Sequence, residues 1–307
     1  MIFLWPLFFL SFTWAQTDGL CEILQIKDCK SVTRQSRRAS AQSLPSPIVA
    51  GGINPANVSQ DKGLGLETIY HPKNPITLSF VSGTGKIGGA IISSSMENSF
   101  FGNRVPEMKE IERRENDEHF RSNKINAGTS FALYKNRKFG ADLGLMTKYH
   151  PDAKKFDPGA GLSIRMGLFN LGAALYKDTF VLKAPGVENY HESFNVQTLT
   201  AGFRYKNLFL DYGLIKSHYD LNGSGDSKIT LISAAFVWNR FMLNLAHRNE
   251  KSGLLKYNYE TKTLEVKEGG SEYYGGTQYA INRFVVLGIQ YNYFLMREAS
   301  FSAVVFF

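Results

Sequence analysis

From residue 63 onward the chain repeats one motif: a short stretch of alternating apolar and polar side chains, then a turn. A period of two places successive side chains on opposite faces of a β-strand, so each stretch reads as a strand with one apolar face. Residues 298–307, E-A-S-F-S-A-V-V-F-F, put Ala299, Phe301, Ala303, Val305 and Phe307 on one face and Glu298, Ser300 and Ser302 on the other. Phe241, Leu243 and Leu245 likewise oppose Met242, Asn244, Ala246 and Arg248, and Leu208, Leu210, Tyr212 and Leu214 oppose Asp211 and Gly213. No later segment is a continuous apolar run of transmembrane-helix length.

The candidate strands are 63–70, 76–82, 86–95, 123–134, 138–148, 159–166, 168–177, 194–205, 207–218, 228–238, 240–249, 271–281, 284–295 and 298–307. That makes about 14, or 12 without the first two, and an even number is what bacterial barrels carry. The connections alternate in length. Short ones fall at 82–85, 135–137, 167, 206, 239 and 282–283, and long polar ones at 96–122, 149–158, 178–193, 219–227 and 250–270. Tight turns at one end and long loops at the other predict an all-β, transmembrane, antiparallel up-and-down barrel. About a dozen strands enclose more space than their side chains fill, so the apolar face turns outward to lipid. The first strands must then pair with the last, because an unpaired edge in hydrocarbon costs several kcal/mol per group.

Composition agrees. Only 20% of residues are charged, and the mean hydropathy of −0.20 looks soluble. That is expected where one face of each strand meets lipid. Aromatics reach 13%, and Tyr70, Tyr134, Tyr149, Tyr205, Trp238 and Tyr293 sit at strand ends, where interfacial girdles form. The net charge of +8 is scattered along the chain. Nucleic-acid binding would need a clustered basic face, so anionic outer-membrane lipid and lipopolysaccharide are the expected counter-charge.

The N-terminal fifth has a different character. Residues 1–15, apolar and too short to span a bilayer as a helix, read as a signal peptide, although they contain no Lys or Arg. Residues 16–62 read as a periplasmic arm or plug, and 63–307 as the barrel. Cys21 and Cys29 are the only cysteines. In an exported chain they are most simply a disulfide, and two thiolates without a nearby His do not complete a zinc site.

The predicted lumen face carries Asp142, Arg165, Arg204, Asp211, Arg248 and Gln290 as solute-pathway candidates, with Gly128, Gly140, Gly144, Gly172, Gly202, Gly213 and Gly288 leaving room between them. The N-terminal segment is the candidate filler. No metal site, cofactor or catalytic group is expected. Gly83-Thr-Gly-Lys-Ile-Gly88 matches a dinucleotide fingerprint in spacing only, because strand rather than helix follows it. Of the six His, only His247 lies well inside a strand, on the lipid side near the outer rim; a rim hydrolase using it is the least favoured reading. Residues 106–118 suit a short helix within the longest external loop.

Two resemblances sharpen these expectations. The last strand, ending on Phe307, resembles the closing strand of bacterial outer-membrane β-barrels. This implies an outer-membrane location and an assembly signal read by the barrel-assembly machinery. Asn54-Pro55-Ala56, just before the first strand, resembles the N-P-A motif in the N-terminal hatch of the long-chain fatty-acid and hydrocarbon transporter family. That resemblance implies a plug around Asn54, Pro55 and Asn57, about 14 strands, and apolar substrates leaving sideways through the wall. The expected function is passive, non-catalytic transport of small solutes, hydrophobic ones included. The alternative is a structural or adhesive barrel acting through its external loops, particularly 96–122.

Overall fold

A computed structural model describes residues 54–60, 62–71, 74–84, 86–94, 124–136, 139–151, 153–182, 190–219, 225–250, 252–258, 263–268, 271–282, 284–292 and 299–306. The expected signal peptide, the Cys21–Cys29 pair, the 96–122 loop, Tyr293 and Phe307 lie outside these residues.

Sixteen strands are present: β1 (Lys62–His71), β2 (Asn74–Thr84), β3 (Ile87–Ser94), β4 (Lys124–Lys135), β5 (Phe139–His150), β6 (Lys155–Met166), β7 (Phe169–Leu182), β8 (Tyr190–Tyr205), β9 (Leu208–Tyr219), β10 (Gly225–Trp238), β11 (Phe241–Glu250), β12 (Ser252–Asn258), β13 (Thr263–Glu268), β14 (Ser271–Ala280), β15 (Val285–Asn292) and β16 (Ala299–Phe306). Fourteen of them form one closed barrel in which each strand pairs with its sequence neighbours, and β12 and β13 form a separate two-stranded sheet. Residues 250–270, expected to be a plain polar loop, therefore hold a hairpin of their own. Its strands are short, seven and six residues, which hid them in a polar stretch. Antiparallel pairing of β1 with β16, from Gly65 opposite Phe306 to Tyr70 opposite Phe301, closes the wall.

The faces sort as the alternation predicts. On β7 the outward Leu171 and Leu175 are exposed, while the alternating Asn170, Ala174 and Tyr176 are buried. Leu199, Leu210, Ile232, Leu243, Leu245 and Leu287 extend the exposed apolar belt around the barrel. In water such a belt would be untenable; in lipid it is the required surface. Ring contacts reinforce its rims. Tyr134 meets Phe139 at 5.7 Å and Phe241 meets Tyr279 at 4.7 Å near the tight turns, and Tyr149 stacks on Phe156 at 4.6 Å at the other end.

The tight turns have a local cause. Gly167, Lys206 and Asn239, each the first residue of a two-residue connection, have φ of 60°, 51° and 54°. Positive φ at this position gives the twist that a two-residue hairpin requires. The opposite end is less regular than expected. Alongside the long loops, β1–β2 and β5–β6 turn within 72–73 and 151–154.

Candidate functional site

Inside the barrel, a short 3-10 helix, Pro55–Gln60, lies against the inner wall. Asn54, Ala56 and Asn57 are fully buried. The N-P-A spelling explains the local shape. Pro55 stands at the first helical position, where its missing N–H leaves no vacancy. Asn54 precedes it as a cap, its Oδ1 accepting from Ala56 N at 3.0 Å. The other side of that amide ties the segment to the wall. Asn54 Nδ2 donates to Leu162 O at 2.9 Å and lies 3.4 Å from Ala173 O, and these two residues face one another across β6 and β7.

The wall makes room for this segment with glycine. A Cβ on Gly144 (β5) would overlap the Pro55–Ala56 backbone, standing 2.7 Å from Ala56 Cα. One on Gly161 (β6) would collide with the Asn54 side chain and stand 3.0 Å from Pro55 Cδ.

The expected lumen charges all face inward but do not converge. Asp142, Asp211 and Arg248 are buried, and Arg165 and Arg204 are partly so. Arg165 spreads its guanidinium over Gly140, and Arg204 lies over the Phe209 ring at 5.3 Å. Each of the five interacts with a neighbour, so they are not a row of free charges. Gln290 sits on β15 opposite Gly276 and Ser300; its side chain lies outside the described residues.

Sequence reasoning missed part of the inner lining. Tyr176, Phe194, Val196, Ile215, Ile229 and Leu231 all point inward from β7–β10 and are buried. Nearer the tight turns, Phe209, Val237, Met242, Val286 and Val304 form a second inward apolar cluster. The signal was present: in these strands both alternate sets contain Ile, Leu, Val or Phe, so the polar set that marks a watery lumen is incomplete.

A polar cluster was missed as well. The β6–β7 ladder ends at Gly159 opposite Tyr176, although both strands continue outward, β6 on β5 and β7 on β8. Pro158, which has no N–H to donate, stands at the break. Beyond it, side chains close the seam. Lys148 Nζ donates to Asp178 Oδ2 at 2.5 Å, and Thr179 Oγ1 donates to Asp157 Oδ2 at 2.5 Å. Thr179 Oγ1 also lies 2.8 Å from Ser193 Oγ, which accepts from Lys155 Nζ. His150 Nε2 stands 3.0 Å from Asp157 Oδ2 and 3.5 Å from Asp178 Oδ1. Thr179 falls on the outward alternation yet is wholly buried, because it fills the gap between the two backbones. The sequence put His150 and Asp157 in a loop; the strands instead extend through them.

His247 is on the outer face, as its alternation predicts, stacked on Tyr273 at 4.5 Å. Its Nε2 makes no hydrogen bond.

No protein-family model and no curated protein matches the sequence. Among solved structures, the chain is similar to OmpT, an outer membrane protein of Vibrio cholerae, with 9% identity over 80% of this chain and 96% of that one and a TM-score of 0.43. It is similar to the CymD monoaromatic hydrocarbon channel, with 11% identity over 88% and 94% of the two chains and a TM-score of 0.45. A porin aligns at 11% identity over 80% and 99%, with a TM-score of 0.41. The molecule's own geometry decides its class. A closed wall of fourteen strands, apolar outside and holding Asp, Asn and Arg inside, belongs in a bilayer. The chain is a transmembrane β-barrel of the bacterial outer-membrane type.

Proposed function

We propose that this barrel carries small solutes passively across the outer membrane, that hydrophobic ones are its main cargo, and that the Asn54–Gln60 segment is the stopper. The observation that carries the reading is the joint character of the lumen. Its inward side chains from β7 to β10 include Phe194, Val196, Ile215, Ile229 and Leu231, where an open aqueous pore would place polar groups. A peptide segment fits against the glycines opposite. An apolar solute gains by leaving water for such a lining, and a short segment tied to the wall through the Asn54 amide can be displaced without unfolding the wall. The outer end of the β6–β7 seam lacks backbone pairing and is closed by side chains alone, which makes it a candidate place for a solute to pass sideways into lipid. Nothing in this route needs bond chemistry, a cofactor or a charged relay.

The test is flux into liposomes holding the purified barrel, with an apolar aromatic dye and a sugar compared at equal protein. The dye should enter faster than into protein-free liposomes, and Ile229→Asn should slow it. Failure of both solutes to enter would leave the second reading, adhesion through the external loops. That reading has one observation of its own, the separately folded β12–β13 hairpin beyond the barrel wall.

A further inference from the structure

The seam cluster carries an inference independent of the transport reading. Three elements contribute one ligand-type side chain each: His150 from the end of β5, Asp157 from β6 and Asp178 from β7. Their donor atoms all lie within 4.8 Å of one another. Ligand atoms held about 2.0–2.2 Å from a tetrahedral Zn²⁺ are separated by roughly 3.3–3.6 Å. The distances of 3.0 and 3.5 Å from His150 Nε2 to the two carboxylates bracket the lower end of that range, so a small contraction or expansion would seat an ion.

The hydrogen-bond accounting points to a ligand. His150 is fully buried, yet neither ring nitrogen makes a well-aligned hydrogen bond, although Nε2 stands at ion-pair distance from both aspartates, and Asp157 Oδ1 lacks a partner. A buried imidazole with poorly directed partners is costly. Here Nε2 faces two carboxylate oxygens without directing an N–H along either line. A lone pair pointed at a shared cation would account for that arrangement. The surroundings suit it as well. Thr179 Oγ1 orients Asp157, and both Lys148 Nζ and Thr179 N orient Asp178, as second-layer partners do around metals. Of the two carboxylates, Asp178 is paired with Lys148 Nζ, while Lys155 Nζ stands one hydroxyl away on Ser193, which leaves Asp157 without a direct ammonium partner among the described contacts.

We propose that His150, Asp157 and Asp178 form a site for a borderline divalent transition metal, Zn²⁺ or a similar ion, which clamps β5, β6 and β7 across the seam. The imidazole favours such an ion over Ca²⁺ or Mg²⁺, which take oxygen ligands.

The experiment uses the untagged full-length barrel in detergent micelles, stripped with EDTA. Co²⁺ is titrated while visible absorption is recorded, and Zn²⁺ is then added as competitor. We expect ligand-field bands that saturate near one equivalent and are abolished by Zn²⁺. His150→Gln should remove them, and Thr179→Val should weaken binding roughly 10–100-fold. Zn²⁺ should also raise the unfolding temperature of the wild type. Retention of the folded band on unheated gels identifies variants that still form the barrel. If His150→Gln does not form it, the wild-type spectrum decides, since bands from a site with one nitrogen and two oxygens differ from those of the aqueous ion and of thiolate ligation at the cysteines. Wild-type spectra identical to aqueous Co²⁺, or bands that survive in folded His150→Gln, would overturn the proposal. The first outcome would leave His150 as a direct partner of the two aspartates with no ion between them.

Discussion

Gly144→Ala should open the lumen without removing any part of the stopper. The added methyl would stand 2.7 Å from Ala56 Cα and closer still to the Pro55–Ala56 peptide, whereas ordinary contact begins at 3.4 Å. The collision is with backbone, so no rotamer change relieves it; the segment must retreat or the wall must bend. Retreat is easier, because β5 is paired along its whole length on both sides. Overpacking of this kind costs about 1–3 kcal/mol. Moving the segment also loosens the Asn54 amide from Leu162 O and Ala173 O, and a net hydrogen bond is worth about 0.5–1.5 kcal/mol. Together these raise the free energy of the seated state by roughly 2–4 kcal/mol, which multiplies the unseated fraction by about 30- to 1000-fold.

Single-channel recording in planar bilayers reads that fraction directly. Wild type should show rare openings and Gly144→Ala frequent ones. Gly213→Ala is the matched control: the same substitution on the same inward face, with its Cβ in ordinary contact at 3.6 Å from Leu231 Cβ. Conductance of folded Gly144→Ala equal to wild type would refute the stopper. An equal rise in Gly213→Ala would show that any change of the inner wall opens the lumen, and would refute the geometry.

Three further outcomes follow from the wall. Leu199→Arg places a charge on the exposed apolar belt at mid-strand of β8, and should lower unfolding free energy in lipid vesicles by about 2–4 kcal/mol, measured by urea titration; a cost under about 1 kcal/mol would put that face against water or protein. Asp178→Asn removes the partner of a buried ammonium, and should destabilise the barrel by about 3–5 kcal/mol, while Lys148→Met combined with Asp178→Leu recovers most of the loss in the same titration. Asn54→Ala, which deletes the clip but adds no bulk, should raise open probability by roughly 10-fold, less than Gly144→Ala, on the same bilayer traces.

How far the sequence could be read follows from what each signal measures. Alternation reports which face of a strand meets lipid, so the barrel, its strand number and the outward Leu and Tyr rims were legible from residues such as Leu243, Leu245 and Trp238. It reports nothing about how an inner face is filled, because lumen side chains answer to neighbours several strands away. Ile229 and Leu231 looked like a lapse in the pattern, and are instead the inner lining. The Asn54–Asn57 segment entered through its resemblance to a hatch motif, since its own spelling offered only turn chemistry at Asn54-Pro55; of the two glycines beneath it, Gly144 stood on the expected inward face, and Gly161 emerged only with the strand register. The seam cluster was the least legible part. Its members lie at 148, 150, 155, 157, 178, 179 and 193, beyond any motif spacing, and only antiparallel register brings them together. Even the register does not suffice, since Asp157 and Asp178 approach where the backbone ladder has already stopped. There the wall exchanges main-chain closure, which every barrel strand supplies, for side-chain closure specific to this chain. Backbone pairing responds little to sequence or to ions, whereas a carboxylate–imidazole–hydroxyl seam responds to both. If the barrel has a regulated opening, that exchange makes the outer end of β6 and β7 the place to look for it.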